Sequence, residues 1–168
     1  MVAAVIADTH LPRGSRRLSE RCLEAIAAAD LLVHAGDFSG AAFRDELATL
    51  GPPLIAVHGN DDDAQLRREL PERTPFELGP ATIAVIHDAG PKRGRLARMR
   101  REFPAADAVV FGHSHLPLLE REERDEDAED GFAILNPGSP TERRRAPAHT
   151  MALIEAQDGE LRFRHLEV

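Results

Sequence analysis

Five short apolar runs in this chain each break off into residues that can hold a proton or a metal ion. Val2 to Ala7 ends at Asp8 and His10, and Leu31 to Ala35 ends at Gly36 and Asp37. Leu54 to Val57 is followed by Gly59, Asn60 and Asp61, Thr82 to Ile86 by His87, and Ala108 to Phe111 by Gly112, His113, Ser114 and His115. Runs of β-branched and aliphatic residues bounded in this way read as buried strands. Between them, Leu18 to Ala29, Ala41 to Leu50, Ala64 to Leu70 and Arg95 to Glu102 carry apolar residues at helical spacing. Strand and helix in alternation predict an α/β fold. In open sheets of that kind the strand ends run out into loops on one rim, so the five clusters are expected to meet in one crevice.

The last third of the chain changes character. Leu116 to Glu123, Phe132 to Leu135, Thr150 to Glu155 and Glu160 to Val168 read as strands separated by acidic or glycine turns, closing the fold as a meander. Asp158 and Gly159, within AQDGEL, are a hairpin signal, because both central positions of that turn need a positive φ. No repeat or linker divides the 168 residues, so one domain spanning 1–168 is expected.

Composition narrows the class. No apolar run is long enough to span a bilayer, and the first one passes into Asp8 without a basic start. The expectation is a soluble, cytoplasmic protein with no membrane partner. The single cysteine, Cys22, sits at helical spacing with Leu18 and Ile26 and reads as core. A formal charge of −8, no Trp or Tyr and only seven Phe argue against a groove for long nucleic acid.

The residues at the strand ends define a chemistry. Four histidines, two aspartates and one asparagine amide, without cysteine, suit borderline and hard divalent ions such as Mn, Fe, Ni or Zn. Seven donors are too many for one tetrahedral ion. They suit two ions sharing a carboxylate roughly 3.5–4 Å apart, the spacing of two-metal hydrolases.

In this order, D-x-H, GD, GN-x-D, a lone histidine after a strand, GHxH and the Asn136-Pro137-Gly138-Ser139 turn resemble the calcineurin-like metallophosphoesterase superfamily, in particular its small single-domain phosphodiesterases. The resemblance covers nearly the whole chain. It implies two mainly mixed β-sheets packed face to face and flanked by helices, an αββα sandwich with a dinuclear metal site on one rim. It implies that Asp8, His10 and His115 hold one ion, that Asn60, His87 and His113 hold the other, and that Asp37 bridges them. The cofactors so implied are two divalent ions, manganese foremost, with nickel, iron or zinc as alternatives. The activity implied is phosphodiester hydrolysis of a small substrate by a hydroxide formed between the ions and placed for in-line attack on phosphorus. Relatives of this kind further suggest a homodimer or homotetramer.

Two positions depart from the family pattern. Many members have histidine after the GN asparagine, near the leaving group, where this chain has Asp61. With Asp37 and Asn60, Asp61 is counted among the residues expected at the reacting group. A carboxylate there would repel a dianionic monoester more than a monoanionic diester. Asp88 stands where similar enzymes often have glycine, with no sequence-level explanation. Two other functions stay open: a non-catalytic protein-interaction scaffold on the same fold, which would be expected to lose ligands, and a nuclease acting on short oligonucleotides or cyclic nucleotides.

Other polar residues read as structural. One of Asp61, Asp62 and Asp63 should cap the helix that follows, with Asp62 in a supporting or capping role. His34 and His58 lie near the rim but favour structural roles over orienting a ligand, while His149 and His165 look unrelated to chemistry. Ser114 and Ser139 lack the G-x-S-x-G context of a nucleophile. The basic stretch Lys92 to Arg101 is read as a solvated helix face rather than a phosphate-attracting rim, and Arg143, Arg144 and Arg145 are better placed to meet a polyanion. The acidic run Glu120 to Asp130 is expected at an exposed hairpin tip.

Overall fold

The computed structural model describes residues 1–122 and 131–168. Most of the acidic run expected at a hairpin tip lies outside them. In chain order the elements are β1 (Val2–Ile6), α1 (Glu20–Ala27), β2 (Leu31–His34), α2 (Ala41–Leu47), β3 (Leu54–Ala56), α3 (Ala64–Glu69), β4 (Arg73–Leu78), β5 (Ala81–Ile86), α4 (Arg95–Glu102), β6 (Ala108–Val110), β7 (Leu118–Arg121), β8 (Ala133–Asn136), β9 (Thr150–Gln157) and β10 (Glu160–Glu167).

The strands pair into two mixed five-stranded sheets, ordered β10-β9-β1-β2-β3 and β4-β5-β6-β8-β7. Strands β1, β2 and β3 run parallel, as do β5, β6 and β8. Successive side chains in a strand point to opposite faces. In β1, accordingly, Ala3 and Val5 face the other sheet with Val33, Val85, Val110 and Leu135, while Ala4 and Ile6 face helices with Cys22, Ile26, Phe43 and Leu66. Both faces are dry, which is why these strands read as unbroken apolar runs rather than as alternating ones. On the outer face of the second sheet, Met99 of α4 packs with Ala84, Val109 and Ile134. The layers are therefore helix, sheet, sheet, helix.

Local chemistry sets the helix starts. Ser19 Oγ accepts the Cys22 N–H at 3.1 Å ahead of α1, and Asp63 Oδ1 accepts the Leu66 N–H at 2.8 Å ahead of α3. The capping member of the Asp61–Asp63 run is thus Asp63. Three arginines of the basic stretch around α4 are held against the fold, while Lys92, Arg93 and Arg101 are exposed: Arg95 and Arg98 donate to the carbonyls of Gly90, Ala89 and Pro91, and Arg95 and Arg100 lie over the rings of Phe111 and Phe132.

Two sequence expectations are corrected. The segment RTPFEL forms the edge strand β4, which the apolar-run pattern missed because only Phe76 and Leu78 are buried and Pro75 interrupts it; proline is tolerated at a sheet edge, where its missing N–H costs no ladder bond. The closing third is not a meander. β8 is buried along its whole length and inserts beside β6, pairing Val110 with Leu135, after which the chain crosses to the first sheet for β9 and β10. The Asp158-Gly159 hairpin forms with φ 55° and 84°. Among the described residues, no helix is long and apolar enough to cross a membrane.

Candidate metal centre

Because the parallel strands of both sheets end on one rim, the loops after β1, β2, β3, β5 and β6 converge there. Backbone bonds lock them together: Asp8 N–H to Gly36 C=O at 2.9 Å, His10 N–H to Asp37 C=O at 3.0 Å, and Gly112 N–H to His87 C=O at 2.9 Å. Asp8, His10, Asp37, His113 and His115 all adopt positive φ, between 47° and 66°. Such backbone is costly for residues with a Cβ and persists where surrounding contacts impose it, as at functional sites.

The imidazoles are aimed from behind. His87 Nδ1 donates to Ala35 C=O at 2.8 Å, His115 Nδ1 to Glu142 C=O at 2.7 Å, and His10 Nδ1 lies 2.9 Å from Asp61 Oδ2. A carbonyl can only accept, so these contacts fix the ring orientation and turn each Nε2 inward. There, His10 Nε2 lies 3.2 Å from His115 Nε2 and 3.7 Å from Asp37 Oδ2. His87 Nε2 lies 3.4 Å from Asp37 Oδ2 and 3.1 Å from Asn60 Oδ1, and His115 Nε2 lies 3.5 Å from Asp8 Oδ1. His113 presents its other nitrogen, with Nδ1 2.8 Å from Asn60 Oδ1. All seven donors named from the sequence are thus brought together. The donor atoms of Asp8, His10 and His115 form one tight group, and those of Asp8, Asp37 and His87 another, each within 4.8 Å.

The electrostatics of this cluster call for cations. Asp8 is completely buried; its Oδ1 accepts the His113 N–H at 3.0 Å, but its Oδ2 has no hydrogen-bond partner among the described residues. Burial pushes the Asp8 carboxyl up to about 8. Burial also opposes charge on His87, yet the neighbouring Asp37 and Asp8 outweigh it and raise the ring to about 9. Asp37 resists its own burial through His87 and stays at about 2, whereas burial lowers His115 to about 4. An orphaned carboxylate oxygen walled by inward-facing ring nitrogens fits a divalent cation, which would supply the missing partner.

Further residues that the motif reading passed over, or gave only a general role, hold the ligands in place. Asp62 Oδ2 accepts the N–H groups of Asp37 and Gly59, and its Oδ1 that of Ser39. Asn136 Nδ2 donates to Gly112 C=O, Ser139 Oγ to Asp8 C=O and Thr141 Oγ1 to Thr9 C=O, so the Asn136–Ser139 turn buttresses two ligand loops. His34 bonds Thr9 Oγ1 and stacks on Phe38, which is a structural role. Asp88 Oδ1 accepts the Gly90 N–H at 2.7 Å, a turn contact that accounts for its presence after His87. Glu142 and Arg144, which donates to His113 C=O at 3.4 Å, complete the wall; Arg144 is among the arginines singled out from the sequence, whereas only contacts across the fold could have revealed Glu142.

Asp61, expected near the leaving group, turns one carboxylate oxygen to its neighbours. Its Oδ2 takes contacts from His10 and, at 2.6 Å, from Arg13. Burial alone would raise its pKa, but these hydrogen bonds hold it below the usual carboxylate range. Beside the cluster, His58, Asn60, Arg67, Glu72, Asp88 and His113 line an open groove of about 330 Å³.

Comparison with known proteins places the chain in a family and its fold among solved ones. Residues 1–159 match the family model of the calcineurin-like phosphoesterase superfamily domain. A probable metallophosphoesterase of Methanothermobacter thermautotrophicus is 33% identical over 156 residues, covering 91% of this chain and 85% of its own. Among solved structures, wild-type Vps29 of Entamoeba histolytica complexed with zinc superposes with TM-score 0.72 at 24% identity, covering 99% of each chain. A structure described as a novel archaeal phosphodiesterase superposes with TM-score 0.67 at 20% identity, covering 99% of this chain and all of that one. The last two likenesses concern the fold.

Proposed function

The chain belongs to the calcineurin-like phosphoesterase superfamily, and from that premise we propose that it is a metal-dependent phosphodiesterase with a dinuclear centre. The observation that carries this reading is the unpartnered, fully buried Asp8 Oδ2 among inward-facing imidazole nitrogens. In this reading Asp8, His10 and His115 hold one divalent ion, Asn60, His87 and His113 hold the second, and Asp37, flanked by His10 and His87, lies between them. Manganese is the first candidate, with nickel, iron and zinc compatible with the same donors.

When bound, such ions supply a nucleophilic water and the positive charge that phosphoryl transfer requires. The protein's own residues do the rest. The carbonyls of Ala35 and Glu142 keep two ring nitrogens pointed inward, so those two donors already face the ions they would hold. Arg144 stands exposed at the rim beside His113, where its guanidinium would meet a phosphoryl oxygen. Glu72 and Asp88 at the groove disfavour a second negative charge, which supports diesters over monoesters. With Asp61 turned to His10 and Arg13, no side-chain acid from that position reaches a leaving group, so diesters with acidic leaving groups suit the site. The substrate is a small phosphodiester rather than a long nucleic acid.

A second reading is a non-catalytic protein-interaction scaffold on the same fold, the fold that Vps29 shares. The complete donor set favours hydrolysis. One experiment separates the two: metal content of protein purified without chelator, and turnover of aryl phosphodiesters and aryl monoesters with added Mn, Ni, Mg and Zn, with Asp37→Ala as control. About two ions per chain and faster diester turnover, lost in the variant, are expected. Absence of both metal and turnover would move the assignment to a scaffold, and faster monoester turnover would overturn the diester preference.

A further inference from the structure

Asp61 occupies the position after the GN asparagine, and one oxygen of its carboxylate is engaged by three neighbours. Oδ2 lies 2.9 Å from His10 Nδ1, 2.6 Å from an Arg13 terminal nitrogen and 3.4 Å from Ser39 Oγ, which donates to it. The Asp61 backbone N–H donates to Asp37 Oδ1 at 2.7 Å. One residue therefore touches the ring of His10 through its side chain and the carboxylate of Asp37 through its main chain.

An ionised carboxylate only accepts hydrogen bonds, so His10 Nδ1 must be the donor, which leaves Nε2 as the inward nitrogen. His87 and His115 receive the same service from backbone carbonyls, but no carbonyl among the described residues bonds His10. Asp61 stands in for that carbonyl. Arg13, half exposed on the loop after β1, fixes the carboxylate from the solvent side.

We propose that Asp61 is a positioning residue, clamped by Arg13, that holds the His10 ring with Nε2 toward the ion shared with Asp8 and His115, and that it is not the leaving-group acid. This rests on the reading that the centre binds divalent ions. The Arg13–Asp61–His10 chain couples the loop carrying Arg13 to the strength of one metal position and leaves the other untouched.

The test is Mn²⁺ titration of chelator-stripped protein by calorimetry, for the wild type and for Asp61→Ala, Asp61→Asn and Arg13→Ala, each checked for folding by circular dichroism. Asp61→Ala should weaken one Mn²⁺ position roughly 10–100-fold and spare the other. Asp61→Asn retains an acceptor oxygen and should lose less, and Arg13→Ala should lose least. At saturating Mn²⁺, aryl phosphodiesters of graded leaving-group acidity should show the same dependence in Asp61→Asn as in the wild type. Unchanged Mn²⁺ affinity in Asp61→Ala, or a selective loss on poor leaving groups in Asp61→Asn, would overturn the proposal. Should Asp61→Ala not fold, Asp61→Asn and Arg13→Ala decide in its place. A wild type that takes up no ion removes the dinuclear reading itself, a different outcome from a wild type that binds two ions and is insensitive at Asp61.

Discussion

Asp8 Oδ1 accepts the backbone N–H of His113 at 3.0 Å across 105 residues of sequence, tying the loop after β1 in one sheet to the loop after β6 in the other. The same carboxylate leaves Oδ2 buried and unpartnered. One side chain thus both staples the two sheets at the rim and carries the site's largest unmet electrostatic demand.

Replacing Asp8 should separate these roles. Asp8→Asn keeps an acceptor for His113 but offers no carboxylate to an ion, so ion uptake should be lost, while metal-free protein at neutral pH, where Asp8 already holds its proton, should change little in stability. Thermal unfolding with and without Mn²⁺ measures both. A variant that loses stability without metal and still gains it on adding Mn²⁺ would contradict the electrostatic reading of the site.

Stability without metal should depend on pH in a defined window. Asp8 holds its proton in the folded state up to about 8, whereas the unfolded carboxyl releases it near 4. His87 holds its proton up to about 9 when folded, against about 6.5 unfolded. Both groups bind more protons folded than unfolded, so their contribution falls as pH rises, Asp8 up to about 8 and His87 from about 6.5 to about 9. The Tm of protein in chelator should therefore decline from pH 6.5 to 9. Saturating Mn²⁺ should flatten or reverse the trend, because the ions take the place of those protons. A chelated Tm that is level or rising across this range would refute the argument.

Gly59 should tolerate no side chain. A Cβ there would collide with both Oδ1 and the backbone nitrogen of Asp37. Gly59→Ala should cost about 1–3 kcal/mol through overpacking and push Asp37 out of position. Chemical denaturation and metal content of the variant should fall together; a variant with full metal content would show that Asp37 can shift without consequence.

Cys22 should be inert in the native protein. It is fully buried on the inner face of α1, and burial pushes its thiol up to about 12. Alkylation at pH 8 should proceed only as fast as the protein opens, and denaturant should make it immediate. Rapid labelling of native protein would mean that α1 is not packed as described.

Much of this molecule is legible along the chain. Strand ends rich in His and Asp are local patterns, and both the helix cap within the Asp61–Asp63 run and the turn at Asp158-Gly159 depend on residues within a few positions of each other. Three features were not legible. β4 hides because an edge strand buries only part of one face, β8 looks like any short apolar run although it sits in the middle of a sheet, and Asp61 sits in a family motif but turns to Arg13.

The sequence by itself determined which donors stand at the rim, because apolar runs must be buried and their ends must emerge on one side of parallel sheets. Only the tertiary structure decided how those donors point. The nitrogen that His87 turns inward is chosen by the carbonyl of Ala35, 52 residues away, and that of His115 by the carbonyl of Glu142. A hydrogen bond of this kind acts over about 3 Å, so no pattern in the sequence records it until the chain has folded and brought the two groups together.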